Sequence, residues 1–226
     1  MNLSYLHRLS IASCLLLLAL QGLAQTASEW AANPSLHQIK PGNANENAVV
    51  ILDQRKHEFV ADEKEGIVLY TSMHKIIRVI KEQGVEMFNK IYVSVPYDAQ
   101  VKEIKARVIT PSGKVVLLPA EKILDEEDEG RLYKKFALEG VEKGSEVEYI
   151  AVMKRGSSFF GLEVFQSPVP CEEARFTLSV PDHLVFACKG YNGFVMDADT
   201  VIGEKRITNG VCKDIPVIEN EKYAQT

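Results

Sequence analysis

Apolar residues recur at every second position in several stretches of this chain, and that period predicts strands. The clearest case runs from Phe136 to Pro170. Val147, Tyr149, Ala151 and Met153 fall on one face of an extended segment, with Glu146, Glu148 and Lys154 on the other. This reads as the middle of an antiparallel sheet with one face on a core and one in water. Upstream, Ala48–Asp53 and Lys56–Val60 are β-rich and lead to an acidic turn, Asp62 to Gly66. Ile67–Ile80 is a long strand pattern rich in β-branched residues, and Lys90–Val95 stops at Pro96. Ile104, Ala106, Val108 and Thr110 share a face. Pro111-Ser112-Gly113-Lys114 then turns the chain into Val115–Leu118. Strands are also predicted over Arg175–Val180, Leu184–Lys189 and Lys205–Lys213, with Asn209-Gly210 as a hairpin turn or bulge inside the last. About ten strands, few helical stretches and no βαβ rhythm predict an all-β fold, an antiparallel β-sandwich.

The polar stretches divide the chain. Residues 25–47, broken by Pro34, Pro41 and Gly42, read as a flexible lead-in with one helical turn around Ser28–Ala32. The only tryptophan, Trp30, sits there as a candidate anchor to the domain. Residues 48–216 form the predicted sandwich, and 217–226 a tail or linker. Pro119–Gly130 reads as a connection ending in five acids, Asp125 to Glu129, a solvated and self-repelling loop. A calcium loop would need a bidentate acid at its twelfth place, where Phe136 stands.

The N-terminus is different. Leu9–Leu20 is an apolar run behind His7 and Arg8, followed by Gly22-Leu23-Ala24. A helix of that run reaches about 18 Å, short of a bilayer core of about 30 Å. The pattern predicts a secretory signal peptide over residues 1–24, cleaved after Ala24, in preference to a lipoprotein signal at Cys14. Export places the mature protein in the periplasm or cell envelope, with no membrane span after cleavage. The signal holds one Arg and no acid, so the mature chain carries 25 basic and 31 acidic residues, a net of −6. That balance argues against nucleic acid as a partner. A hydrophobic content of 46% suits a packed core.

Candidate chemistry is sparse. Cys171, Cys188 and Cys212 outlast cleavage, an odd number for an exported protein. Cys188 with Cys212 is the disulfide to test, against three half-buried free thiols. A cysteine catalyst needs an oriented histidine, and the nearest approach is Cys171 with His183, 12 residues on. Cys171 opens a strand and lacks the helix N-terminus that lowers a thiol's pKa. His57 and His74 could meet across strands with Asp53 or Glu58, a set still short of a zinc site. No Gly-x-Ser-x-Gly elbow, Walker loop or dinucleotide glycine pattern is present. No catalytic, cofactor-binding or metal-binding residue is assigned, and no cofactor.

Five segments in fixed order resemble a known family. They are Asn45–Asp53, the hairpin Ile104–Val116, Lys135–Tyr149, Gln166–Pro170, and Asp214–Tyr223. Together they are similar to the uncharacterised domain that precedes transglutaminase-like domains in exported bacterial envelope proteins. The resemblance spans about Asn45 to Tyr223. It implies an immunoglobulin-like β-sandwich without catalytic residues of its own. In that family the catalytic Cys, His and Asp belong to the downstream domain, which would begin after Tyr223. The expectation is therefore a non-catalytic accessory or binding domain, with a downstream transglutaminase-like domain or an envelope protein as partner. Its peptide or polymer ligand is left open. The alternative is a small exported cysteine-dependent hydrolase or transferase acting by itself.

Overall fold

A computed structural model describes residues 30–218. The segment expected to be a signal peptide, and the tail from Glu219 on, lie outside the described residues. The chain divides into two units, residues 1–32 and 33–226. Of the first, the described residues Trp30–Ala32 are irregular, so that part of the expected helical turn is not helix.

The second unit is almost entirely strand. β1 (Ala48–Asp62) and β2 (Gly66–Val79) make a long hairpin, followed by a short helix α1 (Glu82–Phe88). Then come β3 (Lys90–Val95), β4 (Gln100–Ile109), β5 (Val115–Leu117), β6 (Leu124–Asp128) and β7 (Arg131–Ala137). The chain continues through β8 (Glu146–Gly156), β9 (Cys171–Pro181), β10 (Val195–Met196), β11 (Thr200–Ile202) and β12 (Lys205–Ile215). Nine strands form one sheet in the order β10-β12-β9-β1-β2-β8-β4-β5, with β11 also on β12. The other three form a small sheet, β3-β7-β6.

The core follows from the period-2 pattern. Ile77, Ala106, Val108, Val147, Tyr149 and Ala151 point from the large sheet toward Ile91, Val93 and Phe136 of the small one. Phe136 meets Tyr149 edge to face at 6.3 Å. A second cluster, Phe59, Leu69, Leu178 and Val180, continues the same face of the large sheet beyond the small one. Loops close over it: Phe159 stacks on Phe59, and Phe186 lies against both.

Several expectations are corrected. The large sheet is mixed, because β1 pairs with β9 in parallel while its other ladders are antiparallel. The acids Asp125–Asp128 form strand β6 instead of a loop, because β7 sets Lys134 and Lys135 beside them. Asp125 pairs with Lys134 and Glu126 with Lys135, which offsets part of the self-repulsion. Glu129 and Gly130, both at positive φ, make the turn between β6 and β7. Leu184–Lys189 is not a strand. Its alternation is real, but Leu184, Phe186 and Cys188 face the Phe59 cluster without a ladder partner. Asn209-Gly210 is neither turn nor bulge; β12 runs straight through it, paired with Thr177 and Phe176. Gly210 is there for space: a Cβ would come within 2.4 Å of the Met196 sulfur and 2.6 Å of the Phe194 ring.

Candidate functional site

The charged residues of the large sheet gather in two groups, one on each face. On the face that carries Tyr149, β1 contributes Asp53, Arg55 and His57, spaced by two, and β2 contributes Lys75 opposite Asp53. Asp53 is 1% exposed. Its carboxylate accepts two bonds from Arg55 (Nε at 3.1 Å, Nη2 at 3.0 Å), and Lys75 Nζ lies 2.9 Å away. The remaining Arg55 nitrogen, Nη1, donates to Glu163 Oε2 at 2.6 Å, and His57 Nε2 lies 2.9 Å from Oε1 of the same residue. Glu163 belongs to the 157–170 segment between β8 and β9. This fork ties that segment to the sheet. Phe165 adds a second tie, its ring 4.4 Å under the Arg55 guanidinium and 5.0 Å from Phe194.

The protonation states agree with a fixed lattice of charge. Burial works against the Lys75 ammonium, yet Tyr149 and Asp53 beside it outweigh that and hold its pKa above the ordinary lysine value. Burial likewise opposes the Glu163 carboxylate, and hydrogen bonds from His57 and Arg55 overcome it, leaving the pKa low. Cys171 borders this group. Its thiol is 2% exposed and is pushed up to about 11, first by burial and then by the Asp53 charge. Burial and the neighbouring carboxylate both disfavour the thiolate, opposite in sense to the lowered pKa of an activated thiol.

The opposite face was expected in water and is not. Glu146 is fully buried and Glu148 is 4% exposed. Glu146 receives the His37 backbone N–H at 2.7 Å, the His37 ring Nδ1 at 2.8 Å and Arg78 Nη2 at 2.5 Å. Glu148 receives His74 Nε2 at 2.7 Å and Arg107 Nε at 2.6 Å. Residues 37–43 thus lie over the sheet. The Lys40 backbone N–H and Asn43 Nδ2 both donate to Glu172 Oε1, at 2.7 and 2.8 Å. Among the described residues, every buried side-chain nitrogen and oxygen has a hydrogen-bond partner.

The structure separates the sequence candidates. His57 pairs with Thr71 and His74 with Gln54, an odd offset that puts the two histidines on opposite faces. His183 is exposed beside Asp182, whereas Cys171 is buried. Cys171, Cys188 and Cys212 are all free thiols, so Cys188 and Cys212 are not bridged. Sequence reading missed Arg55, Lys75, Glu163, His37, Arg78 and Arg107. The one local signal was the Asp53–Arg55–His57 alternation, which puts three ionisable groups on the face that otherwise reads as core.

A mostly β domain that spends its buried charge on internal ion pairs defines the class. Residues 70–216, more than half of the chain, match a family described as a domain of unknown function with solved structure, DUF3857, and the chain belongs to that family. No curated protein matches it. Among solved structures, one of a "putative protease" from Parabacteroides distasonis is similar, at 9% identity and a TM-score of 0.62. The alignment covers 78% of this chain and 37% of that protein. This is a likeness of fold, and the chain spans little more than a third of the other protein's length.

Proposed function

We propose that this DUF3857 chain is a non-catalytic accessory or binding domain of an exported cell-envelope protein, standing ahead of a transglutaminase-like domain. The observation that carries the reading is the state of Cys171. It is buried beside Asp53 with a pKa of about 11, and the histidines stand elsewhere, His57 on Glu163, His74 on Glu148 and His37 on Glu146. The likeness to a much longer protein described as a protease supports a place beside a catalytic domain. Within this reading the two facing sheets are an elaborated immunoglobulin-like sandwich, with nine strands against three and one parallel pair. The ligand class is a peptide or envelope polymer, and a net charge of −6 for the exported form disfavours nucleic acid.

The test is turnover of peptide and amide substrates by the purified protein. No hydrolysis or transamidation is expected, and changing Cys171, Cys188 and Cys212 to Ser should alter stability at most. Turnover that disappears with one of these changes would establish the small cysteine-dependent enzyme in its place.

A further inference from the structure

The 157–170 segment is held from below and apolar above. Phe159 stacks on Phe59, Glu163 is forked by Arg55 and His57, and Phe165 stacks on Phe194. The residues between them point out. Phe160 is 89% exposed, Leu162 81% and Val164 54%, with Gly161 open to space on its Cβ side. Val185 adds to the exposed surface, adjoining Phe186, which lies 6.1 Å from Phe159. The segment belongs to no strand and is anchored at three points. A strip of large apolar side chains held outward in this way is a docking surface, since monomeric domains seldom expose them contiguously.

We propose that the Phe160–Leu162–Val164 strip seats the domain that follows this one in the polypeptide, through an apolar patch on that domain. The inference rests on the reading above, that a further domain follows. The exit of the chain selects this occupant. After β12 ends at Ile215, the Ile218 backbone N–H donates to Ser167 O at 3.3 Å, so the polypeptide leaves three residues from Val164. A domain joined there meets the strip at high effective concentration, and a short tether makes even a modest apolar contact persist. The solved relative has the length for such a domain, because this chain aligns with 37% of it. A lipid surface fits poorly: from Ser157 to Pro170 the only charged residue is Glu163, already paired.

The test is photo-crosslinking from benzoylphenylalanine placed at Leu162 in the full-length product of the gene, with crosslinks mapped by mass spectrometry. Crosslinks within one chain, to residues beyond Tyr223, are expected. The variant Phe160→Ser with Leu162→Ser should speed hydrogen exchange at Ile218 at least tenfold in the full-length product. The same changes in the 226-residue protein should leave its melting temperature unaltered, because both side chains are exposed. Crosslinks to a second copy or to another protein, or none at all, would overturn the inference while leaving the accessory reading intact. An intact mass ending at Thr226 would overturn both.

Discussion

Tyr149 shows how much one position joins. Its ring is buried against Phe136, and that burial raises its pKa above the ordinary tyrosine value, with the Lys75 and Asp53 charges close by acting in opposite senses. Tyr149→Ala should cost about 2–4 kcal/mol through lost burial and the cavity left behind, read from chemical denaturation. Melting like the parent would show that the face is misassigned. Glu148 and Arg107 test the opposite face. Removing Arg107 leaves a buried carboxylate with His74 as its named partner. Arg107→Ala should therefore cost about 3 kcal/mol, at the low end for breaking a buried pair. The pH dependence follows from the same groups. For Glu148, burial raises the pKa, but hydrogen bonds from His74 and Arg107 bring it below the ordinary value of 4.5. Glu163 behaves alike with His57 and Arg55. Both folded values are depressed, so their stabilisation is present above the unfolded value and is lost as pH falls through the folded one. Urea midpoints should hold between pH 7 and 5 and fall below about 4.5. Glu148→Gln should flatten that fall, and an unchanged acid limb would count against the assignment.

At the scale of elements, most long strands were legible from their apolar faces, whereas the alternation of Leu184–Lys189 forms none for want of a ladder partner. Lys90–Val95 coincides with β3, and the hairpin over Thr110–Val115 closes as its Pro and Gly require, with Gly113 at φ 83° and its N–H on Thr110 O. The alternation around Tyr149 gave the core face correctly. The other face was misread because Glu146 and Glu148 look solvated until their partners are known. Those partners lie 109, 74, 68 and 41 residues away, beyond the reach of any local pattern. The same limit hid β6, in which Asp125 and Glu126 pair with lysines across a hairpin. Gly84 is another contact invisible to local reading. A Cβ on it would lie 2.1 Å from Asn47 O, the acceptor for the Ile80 and Lys81 N–H groups. Gly84→Ala should push α1 from β1 and cost about 1–3 kcal/mol by overpacking, despite alanine's better helix propensity. A gain in melting temperature would contradict this.

At the scale of the whole molecule, the buried charges hold loop segments against the large sheet. Ion pairs lie on both faces of the large sheet, one group pinning residues 157–170 and the other receiving residues 37–43. A domain built this way can present a rigid surface without performing chemistry, and the accessory reading depends on it. The exported form is expected to begin at Gln25, which intact mass of envelope material would check. The most direct measurement for the central claim is site-resolved alkylation of the folded protein by iodoacetamide at pH 7. Cys171, buried and with its pKa pushed to about 11, should react at least a hundredfold more slowly than an exposed model thiol, and only as the domain unfolds. Cys171 labelling faster than that thiol under native conditions would reveal an activated nucleophile and contradict the account.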